Sequence, residues 1–183
     1  TAAPTAAPGT IAGRLLLADR AGALRPARLA QVRLIAPGKT ASWSPVADDG
    51  SFVLAGAETG VSYTIRASLD NPRWTFLDDN SRSYEWEAGP FASGTDAGPL
   101  APARGTQNAK LGVLHLTYVD ALDFLMREAT IHWWKNSLTV VWPGDSDYFS
   151  RGDWSVHITN ALAWDVVLHE LGHAVMGGAM VTR

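Results

Sequence analysis

The chain has 183 residues, of which 46% are apolar, so it can bury a core as one large domain or two small ones. Its formal net charge is -3 and it has no run of lysine or arginine, which argues against a nucleic-acid-binding surface or a polybasic membrane patch. The sequence contains no cysteine, so histidine and carboxylate are the only strong donors for a metal ion.

Residues 1–9 are rich in Ala, Pro and Thr and are predicted to form a flexible linker. Such tracts often follow an export signal, and the sequence starts at Thr1 without an initiator methionine, so a secreted or cell-surface protein is expected. No apolar run approaches the roughly eighteen residues that cross a bilayer, so no membrane span is predicted.

Residues 10–91 carry the signals of short strands separated by turns, without a convincing helical period. Apolar and polar residues alternate over 30–34 and again over 61–69, which is typical of strands with one buried face. Residues 48–50, Asp-Asp-Gly, tolerate the backbone conformation of a tight turn. This segment is predicted to be an antiparallel β-sandwich domain.

The segment 92–108 is rich in Gly, Ala and Pro and is predicted to be a linker. After it, apolar residues recur at helical spacing over 119–129, which indicates a helix that packs on a core. Strands are predicted over 138–142 and 154–159, and a last helix over about 161–176. The fold class is therefore predicted to be α+β.

The last helix contains the motif His-Glu-x-x-His at residues 169–173. Side chains four residues apart on a helix point in directions about 40° apart, so His169 and His173 can both reach one metal ion. Glu170 is rotated about 100° from His169, which places its carboxylate beside the metal-bound water rather than on the metal. Apolar residues occupy the opposite side of the helix and would hold this geometry by packing.

The motif and its apolar approach, Val166-Val167-Leu168, resemble the active-site helix of the zincin metallopeptidases. The resemblance covers about residues 110–183. It implies that His169 and His173 bind Zn2+, that Glu170 is the general base, and that the reaction is hydrolysis of a peptide bond in a protein or peptide substrate. It also implies that residues 109–183 form the first part of a zincin catalytic domain.

Two further segments resemble parts of bacterial secreted peptidases. The strand over 154–159 is similar to the edge strand that pairs with extended substrate in zincins. Asp49-Gly50-Ser51-Phe52 is similar to the transthyretin-like or carboxypeptidase-regulatory-like sandwich that precedes such peptidase domains. The alternative interpretation is a binding or adhesion module in which the zincin part is a degenerate, non-catalytic remnant.

The identity of the third zinc ligand is left open by the sequence. The metzincin pattern places a glycine and a histidine where this chain has Met176 and Ala179, so that subclass is disfavoured. Gluzincins use a glutamate well downstream, so the catalytic domain is expected to continue beyond Arg183 and the chain alone to be an incomplete enzyme. Oligomeric state is not predicted.

Four other residues near the motif or in the same half were considered as donors. Asp165 can orient a ligand, act as a rare third donor, or simply complement the helix dipole. His157 lies on the polar side of its strand and can approach the cleft or be an ordinary surface residue. His115 and His132 are expected to be structural or surface residues. Arg151-Gly152-Asp153 is expected to be a loop.

Overall fold

The computed structural model describes residues 6–131 and 137–179, and it shows a mixed α+β fold that confirms the predicted class. The elements in chain order are β1 (Thr10–Ala18), β2 (Leu24–Pro26), β3 (Gln31–Ala36), β4 (Lys39–Thr40), β5 (Ser44–Pro45), β6 (Ser51–Ala55), β7 (Tyr63–Ser68), β8 (Trp74–Leu77), β9 (Glu85–Phe91), β10 (Asp96–Leu100), α1 (Gln107–Glu128), β11 (Leu138–Val141), β12 (Tyr148–Ser150), β13 (Ser155–His157) and α2 (Trp164–Ala179).

The chain divides into two compact units, each built from two stretches of sequence. The first unit comprises Thr1–Leu69 and Glu85–Ala109, and the second comprises Asp70–Tyr84 and Lys110–Arg183. Among the described residues, neither helix combines the length and apolar character that a membrane-crossing helix requires.

The first unit contains two β-sheets, each with one buried face. One sheet has the order β10-β1-β2, with β6 also paired to β1, and the other has the order β4-β3-β7-β9, with β5 also paired to β3. Alternate residues of β3 and β7 are buried, as the alternation in the sequence predicted. This pattern is that of two sheets enclosing a common core. The largest fully buried side chains of this unit are Ile11, Leu15, Leu17, Ile65 and Leu69.

A tight turn precedes β6, as the sequence Asp-Asp-Gly at residues 48–50 predicted. Gly50 has a φ of 84°, and a Cβ at this position would lie 2.7 Å from the carbonyl oxygen of Leu15, so only glycine fits. The Asp49 carboxylate accepts hydrogen bonds from the hydroxyl and the backbone N–H of Ser51, which hold the pKa of Asp49 below its ordinary value.

The second unit contains one four-stranded sheet with the order β12-β13-β11-β8. β8, β11 and β13 are parallel, whereas β12 runs antiparallel to β13 at one edge. The strand predicted over 154–159 is β13, and it lies inside the sheet rather than at its edge. Among the described residues, β12 and β8 are the two outer strands of this sheet.

Both helices of the second unit pack on the same face of its sheet. On β8, Trp74 and Phe76 contact the rings of His115 and Tyr118 of α1. At the opposite edge of the sheet, the strand register places Phe149 of β12 on the same face. α2 packs there, since a Cβ added to Gly177 would lie 3.3 Å from the Phe149 ring. The opposite face carries the alternate residues Thr75, Leu77, Thr139, Val141, Ser155 and His157.

The structure differs from the predicted domain division in two places. Part of the predicted linker forms β10, which pairs in parallel with β1. Residues 70–84, assigned by sequence to the sandwich, belong to the second unit because β8 pairs with β11. Short strands carry no local sign of which sheet they will join.

α1 starts earlier than the apolar period indicated, at Gln107, where the Thr106 hydroxyl accepts a hydrogen bond from the N–H of Ala109 and caps the helix. The buried face therefore lies mostly before residue 119. Met126, predicted to pack on the core, is 39% exposed near the C-terminal end of α1.

Candidate metal centre

α2 is amphipathic, with its apolar side packed in the second unit. Its buried side chains include Val167, Leu171, Ala174 and Val175, in agreement with the helical period. Trp164 is also apolar, but it is 48% exposed because it is the first residue of the helix. The packed side fixes the direction in which the opposite side presents its polar residues.

His169 and His173 come together on the exposed side of α2. Their Nε2 atoms lie 3.1 Å apart, the ring centroids are 4.7 Å apart, and the ring planes are nearly perpendicular at 87°. Two imidazole nitrogens that each bind zinc at about 2.0–2.1 Å in tetrahedral geometry are about 3.3–3.4 Å apart. The observed separation is close to this value, so the pair fits two ligands of one ion. Without a metal, the same contact is a hydrogen bond between the two rings.

Glu170 lies at the side of this pair and is only 7% exposed. Its Oε1 atom is 4.0 Å from Nε2 of His169. The Tyr118 hydroxyl of α1 is fully buried and lacks a hydrogen-bond partner in the described part of the chain. Burial raises the pKa of Tyr118, and the charge of Glu170 raises it further.

Within residues 6–131 and 137–179, no third His, Asp or Glu side chain lies close enough to the two imidazoles to bind the same metal ion. No cluster of three or more His, Asp or Glu side chains suited to a metal ion occurs there. Asp165 is exposed in the first turn of α2, where a carboxylate complements the helix dipole. The side chain that extends the exposed imidazole row toward the C-terminus is Met176, which is 50% exposed.

His157 points away from α2. Its Nε2 atom lies 3.0 Å from the hydroxyl of Ser155, and its ring stacks at 4.2 Å on Tyr148 of the neighbouring strand. Ser155 also donates to Asp153, whose pKa is held below its ordinary value chiefly by the Ser150 hydroxyl and also by Ser155. These residues occupy the sheet face opposite to α2, so His157 does not lie with His169 and His173.

The remaining candidate residues have local structural roles or fall outside the described part. His115 is fully buried, and its Nδ1 atom accepts a hydrogen bond of 3.3 Å from the indole N–H of Trp74. His132 lies outside the described residues. Arg151-Gly152-Asp153 forms a turn, as predicted.

Sequence reasoning missed Tyr118, because a tyrosine at helical spacing has no pattern that distinguishes it from an ordinary core residue. The sequence did predict open space at Gly172 on the histidine side of the helix, and a Cβ at this position would meet no atom within 4 Å. A comparison with protein-family profiles gives no match, and a comparison with curated proteins gives no significant similarity.

Proposed function

We propose that the second unit carries the metal-binding helix of a zinc-dependent peptidase. His169 and His173 are the two imidazole ligands, and Glu170 is the general base. The observation that supports this proposal most directly is the separation of 3.1 Å between the two Nε2 atoms on an exposed helix face. A protein or peptide is the proposed substrate, and an extracellular location is part of the same proposal.

Zinc bound here would supply a water molecule with a pKa near 7 and would polarise the scissile carbonyl. Glu170 would take a proton from that water and deliver it to the leaving amine. The packing of α2 through Leu171 and Ala174 holds these side chains in fixed directions. β12 offers a strand edge with no partner on its outer side among the described residues, and an extended substrate can add to such an edge.

The first test separates zinc binding from peptide hydrolysis. In the complete protein, Glu170→Gln should leave zinc stoichiometry unchanged and lower the turnover of an unstructured protein substrate by about 10²- to 10⁴-fold, because a positioned base is lost. Asp165→Asn is the matched control, since that carboxylate is exposed in the first turn of the same helix. Turnover by Glu170→Gln at the rate of the control would contradict the assignment of the base.

A second test measures the metal itself. The 183-residue chain should bind zinc weakly in a calorimetric titration, since a catalytic site normally has three protein ligands and only His169 and His173 converge within the described residues. His169→Ala should abolish this binding, whereas His157→Ala on the opposite sheet face should leave it intact. Tight stoichiometric binding, with chelator-sensitive hydrolysis by this chain, would place a third ligand within it. Zinc binding unaffected by His169→Ala would contradict the proposed centre.

A further inference from the structure

The turn that joins β12 to β13 places a tryptophan in a backbone conformation that side chains rarely adopt. Trp154, the last residue of this turn, has a φ of 56°, in the left-handed region where a bulky residue is uncommon. Glycine and asparagine are the residues that usually adopt this conformation in a hairpin turn. The carbonyl oxygen of Trp154 accepts a hydrogen bond of 3.2 Å from the N–H of Thr139 in β11, so the conformation is tied to the sheet. Because the local backbone does not favour tryptophan here, the contacts of its ring have to offset the strain.

The ring of Trp154 makes these contacts with β12 and with α2. It packs edge-on against Phe149 of β12, with ring centroids 5.3 Å apart and ring planes at 85°. Both rings lie close to Gly177 of α2, where an added Cβ would be 3.3 Å from Phe149 and 3.7 Å from Trp154. The helix approaches the two rings this closely because it has no side chain at that position. The indole of Trp154 thus connects the turn, the outer strand and the helix.

This contact lies one helical turn beyond the proposed metal ligands. Gly177 follows His173 by four residues, which places it about 6 Å further along the helix axis and about 40° around it. β12 has only three residues, Tyr148–Ser150, with which to pair with β13. Because so short a ladder contributes few hydrogen bonds, side-chain packing has to hold the strand in position. The contact of Phe149 and Trp154 with Gly177 therefore determines where β12 lies relative to His173.

We propose that Trp154 is a positioning residue that holds the outer strand β12 in place beside the metal-binding helix. The inference rests on the proposed function, in which α2 carries the metal and an extended substrate adds to the edge of β12. Trp154 needs no contact with metal or substrate, because it acts through Phe149 and Gly177. Loosening this contact should weaken substrate binding and leave the chemistry of Glu170 and the imidazole pair unchanged.

Two substitutions in the complete protein test this role from opposite sides of the contact. Trp154→Gly removes the ring and suits the positive φ, and Gly177→Ala places a methyl group where the two rings lie. Each should raise the KM for an unstructured protein substrate about tenfold and change kcat by less than about twofold, because only the strand that receives substrate is displaced. Zinc affinity should be unchanged in both variants. Amide hydrogen exchange in β12 should become about tenfold faster in Trp154→Gly. Gly177→Ala raises the helix propensity of α2, so it keeps the test decisive if Trp154→Gly does not fold.

Trp154→Phe and Trp164→Ala are the matched variants. Trp154→Phe keeps an aromatic ring next to Phe149 and should recover most of the substrate affinity. Trp164→Ala removes an exposed tryptophan at the start of the same helix and should keep the wild-type KM. A wild-type KM in both Trp154→Gly and Gly177→Ala, or a fall in kcat with KM unchanged, would overturn the positioning role. Wild-type protein without hydrolytic activity would contradict the proposed function alone, since hydrogen exchange in β12 would still show whether Trp154 holds the strand.

Discussion

Two tyrosines of the second unit, Tyr118 and Tyr84, differ in the hydrogen bonding of their hydroxyl groups. The Tyr118 hydroxyl is buried without a partner among the described residues, whereas the Tyr84 hydroxyl donates a hydrogen bond to the carbonyl of Trp142. A buried polar group without a partner costs about 1–3 kcal/mol, and a satisfied one contributes about 1 kcal/mol. Removing the two hydroxyls should therefore have opposite effects on the free energy of unfolding.

Tyr118→Phe should leave the free energy of unfolding unchanged or raise it by about 1 kcal/mol, because it removes only an unpaired hydroxyl. Tyr84→Phe should lower it by about 1 kcal/mol, because the carbonyl of Trp142 loses its donor. Urea denaturation of both variants at pH 7 tests this. A loss in Tyr118→Phe as large as that in Tyr84→Phe would show that the Tyr118 hydroxyl has an acceptor; Glu170 is the residue whose charge helps to raise the pKa of Tyr118.

Tyr84 also predicts a pH dependence of stability. Burial raises the pKa of Tyr84 to about 12, and the charges of Asp78 and Asp79 act in the same direction. An unfolded tyrosine has a pKa near 10, so between about pH 10 and 12 the folded state binds more protons than the unfolded state. Stability should fall as pH rises through this range.

The measurement for this effect is the thermal midpoint from pH 9 to pH 11. Wild type should lose more stability over this interval than Tyr84→Phe, which has no phenol to titrate at that position. The comparison at pH 8 provides the control, because the phenol is neutral there in both states and only the hydrogen bond differs. Parallel curves for the two proteins would show that Tyr84 ionises equally in the folded and unfolded states.

At the scale of the elements, α2 contains two glycines with different surroundings. Gly172 faces open space, whereas a Cβ on Gly177 would lie 3.3 Å from Cε1 of Phe149 and 3.7 Å from the Trp154 ring. Gly172→Ala should raise the free energy of unfolding by about 0.5–1 kcal/mol through helix propensity alone. Gly177→Ala should raise the free energy of unfolding by less, because the new methyl group would displace the Phe149 ring. Equal gains in urea denaturation would show that α2 does not pack closely against β12 at this position.

The same helix shows how much of the structure the sequence could predict. α2 was predictable because its motif and its apolar period are local, and sixteen residues repeat the pattern several times. β8 was not assigned to its sheet because it has four residues, and its partner β11 follows more than sixty residues later. The pairing of His169 with His173 followed from helix geometry, whereas the position of His157 required the register of three strands.

At the scale of the whole molecule, the second unit includes a strand, β8, whose sequence lies between the two segments of the first unit. β8 supplies Trp74 and Phe76, both fully buried, and it pairs along its whole length with β11. A fragment of residues 110–183 should therefore lack cooperative unfolding, since its sheet has lost a strand and its aromatic core.

Adding a peptide of residues 70–84 should restore helical circular dichroism and a cooperative transition to that fragment. A peptide with Trp74→Ala and Phe76→Ala is the control, because it keeps the backbone of the strand and removes its buried rings. If residues 110–183 unfold cooperatively without any peptide, β8 is not required for the core of this unit.

The order of the segments along the chain limits how the gene can change. Each unit interrupts the other, because residues 70–84 of the second precede residues 85–109 of the first. A domain encoded as one uninterrupted stretch can be gained or lost by a single exchange of DNA. Here, deleting residues 1–109 as one block also removes β8 of the second unit, and deleting residues 70–183 also removes β9 and β10 of the first. A single exchange that transfers either unit whole must therefore carry strands of the other unit with it.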